Sequence, residues 1–334
     1  MRGIEIAGGG LAGLSLGIAL QDRGVSVTIR EAGSYPRHKV CGEFVNGVTP
    51  ETLANLRIDS IFEKALHHRR TRWWVNDVEV LEAELERPAL GLSRWDMDES
   101  LRELFLSKGG SLQVKDRVQA QAREGLVWTA GRVLQKGSPW LGLKGHFLGV
   151  TLDGLEMHLG DGGYVGLTPV HGGRVNVCGL FEQRGLRGEN VILSYLEAAG
   201  LGELAQRLGK AEFDQKSLTG VSGFALGDQK GNDNLLTLGD AERMIPPFTG
   251  NGMSMAFESA ECALEPLLAY ANEDQSWEEA CLEIRKELDG RFDQRVRLAQ
   301  AMHHFLNVKL GRSCLKWAAR ANVLPFHWLH RRLT

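Results

Sequence analysis

Gly8-Gly9-Gly10-Leu11-Ala12-Gly13 is the stretch that decides how this chain is read. It contains the pattern G-x-G-x-x-G at Gly8, Gly10 and Gly13. Upstream, Arg2 to Ala7 reads as a short strand, with Ile4 and Ile6 β-branched and Gly8 closing it. Downstream, Leu11 to Arg23 alternates small and apolar residues (Leu14, Leu16, Ile18, Leu20), as a buried helix does. Val25 to Ile29 is a second β-branched strand, ending in Arg30-Glu31.

Each part has a physical job. Gly8 lets the chain turn tightly out of the strand, and Gly10 lets a pyrophosphate approach bare backbone. Gly13, with Gly17 one turn later, lets the helix lie close on the sheet. The free N–H groups and the positive end of the helix dipole then meet the phosphates. Glu31 falls where an acid at the end of the second strand accepts hydrogen bonds from ribose hydroxyls. Strand, helix, strand and acid in this order predict a dinucleotide site, without choosing between NAD and FAD.

Composition bounds the rest. With 334 residues the chain is long enough for two domains sharing an interface. A net charge of −3 sets up no global field for nucleic acid. The cysteines Cys41, Cys178, Cys262, Cys281 and Cys314 are scattered without a C-x-x-C, so neither a zinc ribbon nor a disulfide framework is expected. Met1 runs straight into the first strand and no apolar run is long enough for a bilayer. The expectation is a cytoplasmic protein without a metal.

Further along, Pro50 to Leu56 reads as a short helix, and His67-His68-Arg69-Arg70 as a solvated basic run. Thr71 to Val80 and Glu82 to Glu86 alternate like antiparallel strands. Ser93 is a candidate N-cap for a helix from Trp95 to Ser107, with Asp96 at N3. Leu112 to Val114 and Leu126 to Thr129 read as strands beside the first two. From Leu141 to Leu180 short strands and Gly-rich turns predict an antiparallel sheet, one strand running from Phe147 to Leu152. Val191 to Leu208 reads as a helix, Leu235 to Leu238 as a last strand, Asn251 to Ala271 as a helix, and Trp277 onward as nearly all helical, broken near Pro325.

Leu238-Gly239-Asp240-Ala241 and Ile245-Pro246-Pro247-Phe248-Thr249-Gly250-Asn251-Gly252-Met253 form a second anchor. With Pro36-Arg37-His38-Lys39-Val40-Cys41-Gly42-Glu43 and the Arg94 to Leu101 block, they make the chain resemble FAD-dependent oxidoreductases of the p-hydroxybenzoate hydroxylase fold. Within that fold it resembles the branch containing geranylgeranyl reductases and flavin-dependent halogenases. The likeness covers most of the chain, in four blocks in the right order.

The resemblance implies an α/β (α+β) architecture. A Rossmann-like FAD-binding domain (1–70, 92–140 and 226–272) would interleave with an antiparallel β-sheet substrate domain (71–91 and 141–225), followed by C-terminal helices (273–334). It implies FAD contacts at Gly8, Gly10, Leu11, Ala12, Gly13, Glu31, Arg37, Cys41, Gly42, Arg94, Gly131, Gly239, Asp240, Pro247, Gly250, Asn251, Gly252 and Met253. Cys41, Tyr164 and Pro247 would stand at the reacting end. Tyr164 and Pro169 match an aromatic-rich pocket strand of the relatives, where Gly166 replaces the middle aromatic and would widen the pocket.

Two departures narrow the function. Ala130-Gly131-Arg132 stands where hydroxylases carry an Asp-Gly pair that touches FAD and the visiting nicotinamide cofactor. No G-x-G-V-G-E or W-x-W-x-I-P occurs, which sets the lysine-dependent halogenase reading aside. The expectation is a flavin monooxygenase acting on a lipophilic or aromatic small molecule, polyketide- or isoprenoid-like, with NAD(P)H as transient reductant. A reductase of the geranylgeranyl type is the alternative; a halogenase or a non-catalytic FAD-binding protein stands behind both. Arg295 to Thr334 holds no acidic residue and interleaves Arg and Lys with Phe, Trp and Leu. That predicts either a solvated helical layer or a segment that meets a membrane surface or an acidic carrier protein.

Overall fold

The computed structural model describes residues 1–229, 234–321 and 323–334. One five-stranded sheet runs in the order Leu236–Thr237, Leu126–Trp128, Ile4–Ala7, Val27–Glu31, Ser111–Val114, every pair parallel. Parallel neighbours need a crossover. Leu11–Asp22 supplies it between Ile4–Ala7 and Val27–Glu31, and Leu11 through Leu20 are all buried. The helix is apolar all round because it lies between the sheet and the helices Arg94–Ser107 and Gly252–Ala271.

Two glycines make that packing possible. Gly8 has φ +112°, a region where other residues are strained. A Cβ on Gly13 would lie 2.1 Å from the carbonyl oxygen of Gly8 and 2.5 Å from Thr129 Oγ1. Thr129 Oγ1 itself donates to Gly8 O at 2.6 Å, tying the turn to the neighbouring strand.

The second sheet has eight strands in the order Glu212–Ser222, Trp140–Leu148, Arg174–Glu182, Gly163–Val170, Leu155–Gly160, Leu66–Val75, Val78–Gly91, Phe44–Val45. All pairs are antiparallel except Leu66–Val75 with Leu155–Gly160. Side chains alternate across it. One face carries Leu143, Phe147, Val165, Leu167, Val175, Val177 and Phe181, covered by the helices Val191–Ala198 and Gly202–Gly209. The other face carries three cross-strand rows: Thr168, Asn176, His146; Gly166, Cys178, Lys144; and Tyr164, Leu180, Gly142. It meets the segments 36–43 and 247–249.

Several expectations are corrected. Thr71 to Val80 is not one strand, because Asn76 and Asp77 both take positive φ and turn the chain into a hairpin. The basic run lies inside that hairpin's first strand: His67, Arg69 and Arg70 are exposed, while His68 is buried with Nε2 2.9 Å from Pro169 O. The strand expected to reach Leu152 ends at Leu148. Val191 to Leu208 is two helices, broken at Ala199-Gly200-Leu201. Glu212–Ser222 is a strand the pattern did not announce. The proposed boundary between 70 and 71 falls inside Leu66–Val75, which belongs whole to the eight-stranded sheet.

The C-terminal region is helical, as Trp277–Asn307, Lys309–Arg320 and Phe326–Leu333, with Pro325 directly before the last. Ser276 and Glu279 form a reciprocal capping box at the start of the first of these. Among the described residues no helix is long and apolar enough to cross a membrane.

The glycine packing makes a paired prediction. A Cβ at Gly10 meets nothing within 4 Å, so Gly10→Ala should leave stability within about 0.5 kcal/mol of wild type. Gly13→Ala must displace backbone and should cost about 1–3 kcal/mol or more. Urea unfolding of the two variants checks this; equal midpoints would show that the close approach is not the constraint.

Candidate functional site

Two helix N-termini meet at Gly239. Leu11–Asp22 begins after Gly10 and Gly252–Ala271 begins after Asn251, and neither has a side-chain cap. Their first-turn N–H groups are therefore available, with the positive ends of both dipoles. A Cβ on Gly239 would lie 3.2 Å from that of Ala12, in the first turn of one helix, and 3.7 Å from that of Ala256, where the second turn of the other begins. Nothing stands within 4 Å of a Cβ built on Gly10 or on Gly252. Leu11, Ala12 and Met253 are buried beside these ends.

Asp240 follows Gly239 and is half-buried. No described residue donates a hydrogen bond to it. Burial raises its carboxyl above the usual range, against the pull of the Arg132, Arg94 and Lys39 charges. A carboxylate so placed suits a ligand that brings hydroxyl donors. Arg132 stands across from it, its guanidinium 4.4 Å over the Phe224 ring and its Nε buried without a partner. Gly131 takes φ +81° with open space where a Cβ would be.

On the far side of the glycine turn Glu31 is already engaged. It accepts from Gly9 N at 2.8 Å, Gly33 N at 2.7 Å and Arg37 Nη2 at 2.9 Å. Burial would raise its carboxyl, but the Gly33 N–H, the Arg37 charge and the Gly9 N–H hold it below the usual range. Glu31 thus staples the glycine turn, and about one of its four lone-pair directions is left for a further donor. Arg37 is paired with Glu31.

The Pro36 to Glu43 loop is held by buried ions. Glu43 is fully buried, with Lys144 Nζ at 3.1 Å, His146 Nε2 at 2.6 Å and the donating Arg94 N at 3.1 Å. Burial works against its charge; the His146 hydrogen bond and the Lys144 charge nevertheless keep its carboxyl below the usual range. Lys144 also lies 3.2 Å from His38 Nδ1, and His38 packs on Trp95 at 4.7 Å. Arg94 is spent on Asp98, through two bonds of 2.8 and 3.0 Å, with Lys39 on the same carboxylate at 2.6 Å. Cys41 is half-buried beside this group; its carbonyl accepts from Asn176 Nδ2 at 2.9 Å, and burial pushes its thiol up. Gly42 packs under the Phe44 ring.

Along the sheet's inner face the character changes from polar to aromatic. In the row Thr168, Asn176, His146 each residue is buried, and Thr168 Oγ1, Asn176 Oδ1 and His146 Nδ1 have no hydrogen-bond partner. Gly166 and Cys178 follow, half-exposed. Tyr164 then packs at 6.0 Å on Phe248 and 5.9 Å on His303, and Trp140 lies 5.0 Å from His303. Pro247 is exposed at the head of the turn Pro247–Thr249, and Gly250 closes that turn under Phe44. Asn251 departs from expectation: its side chain is fully buried and donates to Leu333 O, tying the C-terminus to the site.

Lys144, His146, Asn176, Thr168 and His303 were not singled out from the sequence. The two-residue spacings Lys144/His146 and Asn176/Cys178 place each pair on one strand face, but only the register brings the pairs together. A separate hollow of about 340 Å³, lined by Gly3, Glu5, Ser26, Thr28, Arg30 and Gln113, shares none of these residues. Among the described residues no group of His, Cys, Asp and Glu is placed to hold a metal ion.

No family model matches the chain, and no curated protein does. Solved structures do. PqsL of Pseudomonas aeruginosa, in complex with 2-aminobenzoylacetate, is 16% identical over 94% of this chain and 98% of its own, with a TM-score of 0.76. The flavin-dependent brominase Bmp2 is 16% identical over 99% and 92%, TM-score 0.77. A geranylgeranyl bacteriochlorophyll reductase-like protein from Thermoplasma acidophilum is 17% identical over 96% and 91%, TM-score 0.75. The architecture of this chain is the one these flavin enzymes and oxidoreductase-like proteins share, as the sequence blocks implied.

Burial, and next the neighbouring His304, lower the His303 imidazole to about 4, so it is neutral in the folded chain. The unfolded chain protonates first as pH falls. The stability tied to His303 is therefore complete above about pH 6.5 and is lost towards pH 4, by about 3 kcal/mol. His38, His68, His158 and His330 are lowered in the same direction by burial and share the slope. His303→Phe should flatten the stability profile between pH 6.5 and 4 in urea melts; an unchanged slope would refute the assignment.

Proposed function

We propose that this chain binds FAD non-covalently and is an FAD-dependent oxidoreductase, a monooxygenase acting on a lipophilic or aromatic small molecule. One observation carries the reading: two uncapped helix N-termini meet at Gly239, with Asp240, which has no donor among the described residues, between them. A flavin dinucleotide asks for this set of groups. Its pyrophosphate suits the helix end at Gly10, its ribityl hydroxyls suit Asp240, and the ring edge that gathers negative charge on reduction suits the helix end at Gly252. Glu31 would take a ribose hydroxyl. The flavin enzymes among the structural relatives support the cofactor.

Bound flavin would supply the redox chemistry; the chain's own residues supply position and dryness. Pro247 to Gly250 and Cys41-Gly42 would border the ring from two sides. Tyr164, Phe248 and Trp140 would exclude water and hold the apolar part of the substrate. Gly166 leaves room on the sheet face between Tyr164 and Thr168. The unpartnered atoms of Thr168, Asn176 and His146 would orient a substrate hydroxyl or amine. NAD(P)H is proposed as the transient reductant, although Ala130 stands where the hydroxylases carry the acid. A second reading, reduction of a double bond, is supported by the half-buried Cys41 on the Pro36 to Glu43 loop, whose thiol would give the proton.

The purified protein should be yellow and release FAD on denaturation. Gly10→Asp puts a carboxylate against the pyrophosphate, and Asp240→Ala removes the ribityl contacts. Each should lower FAD occupancy, and wild-type occupancy in both would sink the site assignment.

Oxygen separates the two chemistries. After a substrate screen, NAD(P)H consumption and product are followed with and without O2. Oxygen uptake matched to product supports the monooxygenase; product in strict anaerobiosis supports the reductase instead. Cys41→Ser should alter the flavin spectrum or turnover more than Cys281→Ser, and equal negligible effects would leave Cys41 as packing.

A further inference from the structure

We propose that the helix Lys309–Arg320 seats this protein on an anionic lipid bilayer surface. The helix has two unlike sides. On the inner side Gly311 and Arg312 are buried, Arg312 pairs with Asp161, and Leu315 packs into the apolar cluster with Val80 and Trp73. On the outer side Leu310, Cys314, Trp317 and Ala321 recur at i, i+4, i+7 and i+11, one stripe of an α-helix. Leu310 is 74% exposed and Trp317 68%; Val308 at 52% and Phe305 at 46% are also exposed just before the helix. An exposed apolar stripe of this kind, flanked by cations, is the sort of surface that a binding partner covers.

Charge selects the occupant. Lys309, Lys316 and Arg320 each stand one position before an apolar member of the stripe, so all three line the same flank. None has an ion-pair partner among the described residues, whereas Arg295, Arg312 and Arg331 pair with Glu258, Asp161 and Glu86. The last acidic residue of the chain is Asp293. An apolar stripe with Trp at its edge and unpaired cations along one flank matches the boundary between acyl chains and anionic headgroups. A second copy of the same surface would set like charges against each other. The helix is about 18 Å long, enough to lie in the interface and too short to cross it.

The placement also connects to the site. Leu315, Met302 and Leu306 belong to the apolar cluster that holds Tyr164 and Phe248. If the proposed function is right, a lipophilic substrate leaving the bilayer meets this cluster first. The surface proposal itself does not need that function, and its test uses no substrate.

The full chain is co-sedimented with phosphatidylcholine vesicles and with vesicles rich in phosphatidylglycerol, at low and moderate salt. Binding is expected to the anionic vesicles only, weakening with salt. Lys309→Glu/Lys316→Glu should weaken it by more than about tenfold, and Leu310→Ser/Trp317→Ser should abolish it. All four side chains lie on the outer side or flank, so melting temperature and flavin content should match wild type in both variants. The tryptophan emission lost in Trp317→Phe should be the part that shifts to the blue on vesicles. No binding to anionic vesicles at low salt overturns the proposal, as does binding that survives both double variants. A concentration-dependent dimer abolished by Leu310→Ser/Trp317→Ser, without vesicle binding, would give the surface to a second copy. Equal retention by soluble polyglutamate, independent of Trp317, would give it to an acidic protein.

Discussion

Close approach of backbone to backbone, at positions with no side chain or only a methyl, is the constraint on which this structure depends. Gly13 lies on Gly8 and Thr129, and Gly239 lies between Ala12 and Ala256. Larger side chains there would hold the helices Leu11–Asp22 and Gly252–Ala271 apart from the sheet and from each other. Their N-termini would then point at solvent separately. Brought together, two sets of free N–H groups and two dipole ends act on one cleft, where charge is worth more than at an exposed surface.

The loop that crosses this cleft is pinned by charges rather than by apolar packing. Glu43 with Lys144, hydrogen-bonded to His146, and Asp98 with Arg94 and Lys39 are buried polar groups reaching from the loop to the eight-stranded sheet on one side and the helix Arg94–Ser107 on the other. Such groups contribute little net stability, because desolvation offsets most of the attraction. Their effect is positional. A buried carboxylate with three partners tolerates few arrangements, so Cys41 and Gly42 are presented to the cleft in one geometry.

Alternation along the strands divides the eight-stranded sheet between two jobs. The face of Val165, Leu167, Val175 and Phe147 is an ordinary core beneath two helices. The face of Tyr164, Gly166, Thr168, Asn176, Cys178, Lys144 and His146 grades from aromatic to polar across three rows. It thus presents aromatic side chains at one end and unpartnered polar atoms at the other.

Much of this was legible in the chain itself, because local physics writes local patterns. The Gly8 to Gly13 turn, the buried helix after it, the Ser93 cap and the helix from Gly252 all depend on neighbours within a few residues. The Asn76-Asp77 turn and the strand Glu212–Ser222 were not legible, since neither carries a strong turn glycine or clean alternation. What only the tertiary structure decided is pairing. Lys144 and Glu43 lie a hundred residues apart, Asn251 is tied to Leu333, and Thr168, Asn176 and His146 share a row through strand register. The sequence by itself determined most of the helices and strands around the glycine turn. Which charges meet, and which polar atoms are left without partners, is set by long-range contacts that no local pattern encodes.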